Sequence, residues 1–230
     1  MRLLTVFAIA VFPWCQVAAH DLWLENAGTT HMLWQGHRHA THAGDEKVEY
    51  SPHWVDAADC LGREGWQSLP VGLSYPVSVV GDCAVLRVSL ASGYWTKTAW
   101  GTKNVPKTGL TGVIRSWHAV ESIKRILRWT PLAAKPQGRG LELTALRDPA
   151  LLAIGDKLRL FVTLDGKALP GVPVAYGDDV RGVTDAGGQI AIRIRRPGVQ
   201  HISTSIELPL QDDKADIAIR SASLQFEIAQ

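Results

Sequence analysis

Three runs in the second half of the chain alternate with period two, a spacing that constrains them to a sheet. Leu158, Leu160, Val162 and Leu164 alternate with Arg159, Phe161 and Thr163, and Asp165-Gly166 and Pro170-Gly171 then turn the chain. Ile190, Ile192 and Ile194 alternate with Ala191, Arg193 and Arg195, between turns at Asp185-Ala186-Gly187-Gly188 and Pro197-Gly198. Ala222, Leu224, Phe226 and Ile228 alternate with Ser223, Gln225 and Glu227. Successive side chains of a strand point to opposite faces, so each run offers one apolar face to a core. Short strands separated by Gly, Pro and Asp turns predict a β-sandwich of immunoglobulin-like architecture over residues 139–230.

The first half is less regular but also β-rich, with Ala84, Leu86, Val88 and Leu90 alternating against Val85, Arg87 and Ser89. One helix is expected near 116–129. There Trp117, Val120, Ile123 and Leu127 recur at helical spacing, with Glu121, Lys124, Arg125 and Arg128 between them. Pro131 and the segment from Ala134 to Gly140 stop that helix and place a domain boundary near residue 138. The expected fold is therefore all-β: two β-sandwich-like domains, 20–138 and 139–230, with one short helix.

Residues 1–19 read as a secretory signal peptide. Arg2 gives a positive start, Leu3 to Phe12 an apolar stretch, and Val17-Ala18-Ala19 the small residues before a cut. That stretch is well short of the roughly 20 residues a membrane helix needs, and the mature chain is expected to have no transmembrane segment. Cys15 falls within the signal. Cys60 and Cys83 remain, and in an oxidising compartment they are expected to form a disulfide, with a thiolate metal site as the alternative. The 24 basic residues include Arg2, so the mature chain carries 23 against 22 acidic ones, a balance that does not suggest nucleic acid as a partner.

A cut after Ala19 makes His20 the first mature residue, able to offer its α-amine and a ring nitrogen to one metal ion. His37, His39 and His42 follow. In an extended segment His37 and His39 share a face, and His42 joins them if the chain turns at Ala40-Thr41. Neutral imidazole suits nickel, cobalt, copper and zinc. Asp21 is a candidate ligand, an orienting partner for an imidazole, or a residue that simply faces solvent. His31, His53, His118 and His201 stand in ordinary strand or helix context and read as packed or surface residues, His118 being the best spare ligand. The nine tryptophans read as packing, with Tyr94 to Gly101 a candidate partner-binding loop. No phosphate loop, nucleophile elbow or zinc-protease helix is present, so binding and release is expected, not an enzyme's bond-making step.

Together these residues resemble a bacterial periplasmic family, domain of unknown function 4198, whose members are often associated with nickel or cobalt uptake. The resemblance rests on the start Ala19-His20-Asp21-Leu22-Trp23-Leu24-Glu25, on Gly36-His37, and on a C-terminal pattern. That pattern runs Asp148-Pro149, Gly155-Asp156, Leu164 to Val174, Thr184-Asp185-Ala186-Gly187-Gly188 and Pro197-Gly198. It implies a periplasmic protein that carries nickel or cobalt to membrane metal-uptake transporter components, with copper or zinc as further candidates. Two other readings stay open: a copper redox protein of histidine-brace type, and a structural or interaction module of the cell envelope.

Overall fold

A computed structural model of the protein describes residues 21–37 and 46–228. Among them the chain forms seventeen strands. The first nine are β1 (Asp21–Ala27), β2 (Thr30–His37), β3 (Glu46–Lys47), β4 (Val55–Gly62), β5 (Gly65–Ser68), β6 (Ser78–Val80), β7 (Val85–Thr98), β8 (Gly101–Lys103) and β9 (Val113–Ile126). The rest are β10 (Leu141–Ala145), β11 (Lys157–Leu164), β12 (Lys167–Ala168), β13 (Pro173–Tyr176), β14 (Asp179–Val183), β15 (Gln189–Arg193), β16 (Gly198–Pro209) and β17 (Ile217–Ile228). The helical content is confined to short 3-10 turns at Pro52–Trp54, Pro131–Ala134 and Pro149–Leu151. No helix among the described residues is long and apolar enough to cross a membrane.

The protein is all-β, as the alternating runs predict. A nine-stranded sheet ordered β14-β13-β16-β17-β9-β7-β4-β5, with β8 on β7, forms the middle layer. All its neighbours pair antiparallel except β9 and β17, which run parallel. A four-stranded sheet of β1, β2, β3 and β6 packs on one face, where Leu22, Leu24, Leu33 and Val79 meet Cys60, Leu86, Val88, Leu90 and Ile123. The sheet of β10, β11, β12 and β15 packs on the other, where Leu143, Leu160, Val162 and Ile192 meet Val85, Ile202, Leu224 and Phe226. Adjacent residues such as Val85 and Leu86 thus enter different cores, and each fully buried side chain of this size contributes about 1.5–3 kcal/mol.

The helix expected at 116–129 is not formed: most of that segment is the long strand β9. Both faces of β9 are covered, so its charged residues do not mark a solvent side. Lys124 and Arg125 are both buried; Lys124 donates to Glu142 of β10, and Arg125 donates to the Leu24 carbonyl. Buried charges broke the period-two signal, and Trp117, Val120 and Ile123 matched helical spacing by coincidence. The composition break at residue 138 falls in the loop before β10, and the central sheet runs on across it through the β9–β17 pair.

Cys60 and Cys83 form a disulfide with Cα atoms 5.3 Å apart, both buried where β4 meets the sheet of β1, β2, β3 and β6. Tyr50 ties that smaller sheet together: its hydroxyl donates to Leu33 O (2.8 Å) and accepts from Val77 N (3.1 Å). Burial pushes its pKa up to about 12, so it holds its proton at physiological pH.

Candidate functional site

Strands β1 and β2 pair antiparallel in the register Asp21↔Gly36. The residue bonded to His20 therefore lies opposite the residue bonded to His37. His20, His39 and His42 themselves lie outside the described residues. His37 closes β2 opposite Glu46 of β3. Between them Gly36 is required by a close approach: its φ is +152°, and an added Cβ would stand 1.8 Å from the Glu46 carbonyl oxygen. Gly36→Ala is expected to cost about 2–3 kcal/mol and to abolish amide protection at Val48, whose N–H donates to Gln35 O. Gly28→Ala, at φ +62° with open space around it, is the control and is expected to cost about 1 kcal/mol. Denaturant unfolding with hydrogen exchange checks both; equal costs at the two glycines would remove the close-approach explanation.

Beneath Asp21 lies a cluster of polar side chains that the sequence spacing did not reveal. Gln225 of β17 pairs with His201 of β16, so both face β1, and the Gln225 side chain accepts from Leu24 N at 3.1 Å. This anchor lays β1 across β16 and β17 and brings Asp21 Oδ1 to 3.5 Å from His201 Nε2. His201 is only 4% exposed, yet neither of its ring nitrogens has a hydrogen-bond partner among the described residues. Glu121 of β9 faces the same side and accepts from Gln35 Nε2 at 3.5 Å.

The other histidines differ. His31 is buried but satisfied: Nε2 donates to Gly81 O (3.1 Å), and Nδ1 accepts from Asn26 (2.9 Å) with that amide turned to donate. Its burial, more than any neighbour, lowers its affinity for a second proton. His118 packs edge-on against Tyr94 at 4.8 Å between ring centres, with Arg220 Nη1 at 3.4 Å from Nδ1. Burial first and the Arg220 charge second lower its pKa. His53 is exposed. The tryptophans divide: Trp23 is core, Trp95 stacks on Trp117 at 6.4 Å and meets Trp54 edge-on at 5.8 Å, and Trp100 is 79% exposed. The segment from Tyr94 to Gly101, expected as a loop, is instead the end of β7 and its tight turn into β8, and it presents one large aromatic ring to solvent.

Desolvation, reinforced by the Asp21 charge and opposed by the Gln35 hydrogen bond, pushes the Glu121 carboxyl up to about 7. Protein crowds this carboxyl closely, yet the residue keeps some solvent contact. Screening therefore reduces the stability consequence from the ~3.4 kcal/mol that 2.5 pH units represent to about 1–3 kcal/mol. The folded state binds the proton more tightly than the unfolded chain. The contribution is then complete below about pH 4.5, is lost as pH rises to about 7, and is flat above. Metal-free protein should lose melting temperature across that window, and Glu121→Gln should flatten the loss. An unchanged slope in the variant would assign it to other groups.

These elements define a three-layered all-β protein in which one end of the smaller sheet meets a buried imidazole and two carboxylates. Over residues 75–208, more than half of its length, the chain matches the family described as Domain of unknown function (DUF4198), and it belongs to that family. The matched segment contains Glu121 and His201 but neither Asp21 nor His37. No curated protein matches the chain.

Proposed function

We propose that this is an exported, periplasmic transition-metal-binding protein that carries nickel or cobalt to a membrane uptake system. The mature His20 supplies amine and imidazole, and His37 with His39 or His42 completes the ligand set. The observation that carries this reading is the Asp21↔Gly36 register, because it aligns the strand ends next to His20 and His37. A backbone approach that admits only glycine at position 36 gives the Gly36-His37 pair a structural reason to occur together. Neutral nitrogen donors beside a carboxylate suit borderline divalent ions.

Calorimetric titration of the exported protein, its N-terminus verified by mass spectrometry, with nickel, cobalt, copper and zinc tests the proposal. Stoichiometric submicromolar binding that collapses in His20→Ala is the expected result. Equal binding by the variant, or no tight binding by any ion, would leave an envelope interaction module as the better description.

A further inference from the structure

His201 is the one buried histidine among the described residues with both ring nitrogens unpaired, although burying polar atoms without partners is costly and rare. Its contact with Asp21 does not repair this, since 3.5 Å exceeds the about 2.7–3.2 Å of an N–H···O bond. The same separation fits another chemistry. Two donors each about 2.1 Å from one ion stand about 3.4 Å apart in a tetrahedral site and about 3.0 Å apart at adjacent corners of an octahedron.

We propose that His201 Nε2 and Asp21 Oδ1 are two ligands of a divalent transition-metal ion in a tetrahedral site. The inference rests on the N-terminal binding reading above and deepens it. Among the described residues no three His, Cys, Asp or Glu side chains converge on one point, so the site needs further donors. His20, bonded to Asp21, offers two: its amine and its ring. Glu121, on the same face of the central sheet and held by Gln35, adds a second carboxyl group on that side. Among the described residues soft donors are lacking around Asp21 and His201, because Cys60 and Cys83 are consumed in the disulfide and Met32 lies on β2 opposite Glu25. The set of imidazole, amine and carboxylate selects borderline divalent ions over copper(I), and tetrahedral spacing suits cobalt, one of the two ions proposed above, as well as zinc.

Cobalt(II) titration of the mature protein, followed by visible absorption and calorimetry, tests this with His201→Leu, Asp21→Asn and His20→Ala. The intense ligand-field bands of tetrahedral cobalt are expected in the wild type. His201→Leu and Asp21→Asn are each expected to lose those bands and at least about 100-fold in affinity, since even residues that only orient a ligand contribute 10–100-fold. His201→Leu should also melt at a higher temperature than the metal-free wild type, because it removes unpaired polar atoms from the interior. If His20→Ala abolishes binding while the other two variants bind like wild type, the N-terminal reading stands and the His201 site falls. Weak octahedral bands in the wild type overturn the tetrahedral pair. If all three variants bind unchanged, both readings fall. Should His201→Leu fail to fold, the partly exposed Asp21→Asn decides by the same affinity criterion.

Discussion

Glu142→Leu is expected to destabilise the protein by about 3–5 kcal/mol, because it leaves a buried charge without its partner. Glu142 is 2% exposed and accepts from Lys124, which is 4% exposed and lies across the layers on β9. The same carboxylate accepts from Gln137 N (2.9 Å) and Gly138 N (3.1 Å). Removing it strands a buried ammonium, whose other hydrogen bond among the described residues is to Thr144 Oγ1 at 3.3 Å, together with two backbone donors. Burial first of all lowers the Lys124 pKa, with Glu142 opposing, so without Glu142 the ammonium gives up its proton more readily. Lys124→Met should cost less, about 2–3 kcal/mol, because Glu142 keeps its backbone donors. The double variant should recover much of the Glu142→Leu loss, since a packed apolar pair replaces a buried ion pair at little net cost. Denaturant unfolding of the three variants measures this coupling. Additive losses would show that the pair acts as two separate groups.

That ion pair also explains where the sequence was legible and where it was not. Strands β11 and β17 were readable because each presents a single apolar set to one core: Leu158, Leu160 and Val162 are buried while Lys157 and Arg159 are exposed. Strand β9 was not, because Lys124 and Arg125 enter opposite interfaces with their charges paired inside. In β17 the alternation stays readable although Ser223 and Gln225 are buried, because its apolar residues keep to one face and no charge enters either core. The disulfide was readable from the cysteine count together with the oxidising compartment expected of an exported chain.

The site was legible only in its local part. Asp21, Gly36 and His37 lie within one hairpin, and the motif at the chain start drew attention to them. His201 and Glu121 come from strands far along the chain, joined to Asp21 only by the register of β16, β17 and β9. A signal did exist in the closing strands, where Ser203 and Ser205 follow His201 at period two and face Ser223 and Ser221. A histidine that begins a row of small polar residues on one strand face marks a face that is not plain apolar core, but only pairing shows what stands opposite it.

Replacing both Cys60 and Cys83 by alanine is expected to cost about 4 kcal/mol. The two cysteines are 23 residues apart, and closing a loop of that length removes about 3 kcal/mol of unfolded-chain entropy. Loss of two buried sulfur atoms from the core around Leu86 and Val79 adds about 1 kcal/mol. The loop they close carries β6, which pairs with β2 in the register His31↔Val79. Strand β2 in turn ends at Gly36 and His37, so the bond supports the site from the far end of the same strand. Thermal unfolding of oxidised, reduced and double-alanine protein measures the cost, and hydrogen exchange along β2 measures its reach. Lower protection at Leu33, whose N–H donates to Val77 O at 2.8 Å, is the expected local sign. A variant with unchanged β2 protection would mean that packing of Leu24 and Leu33 on the central sheet holds the strand without the bond. The metal site proposed above would then be independent of the redox state in which the protein folds.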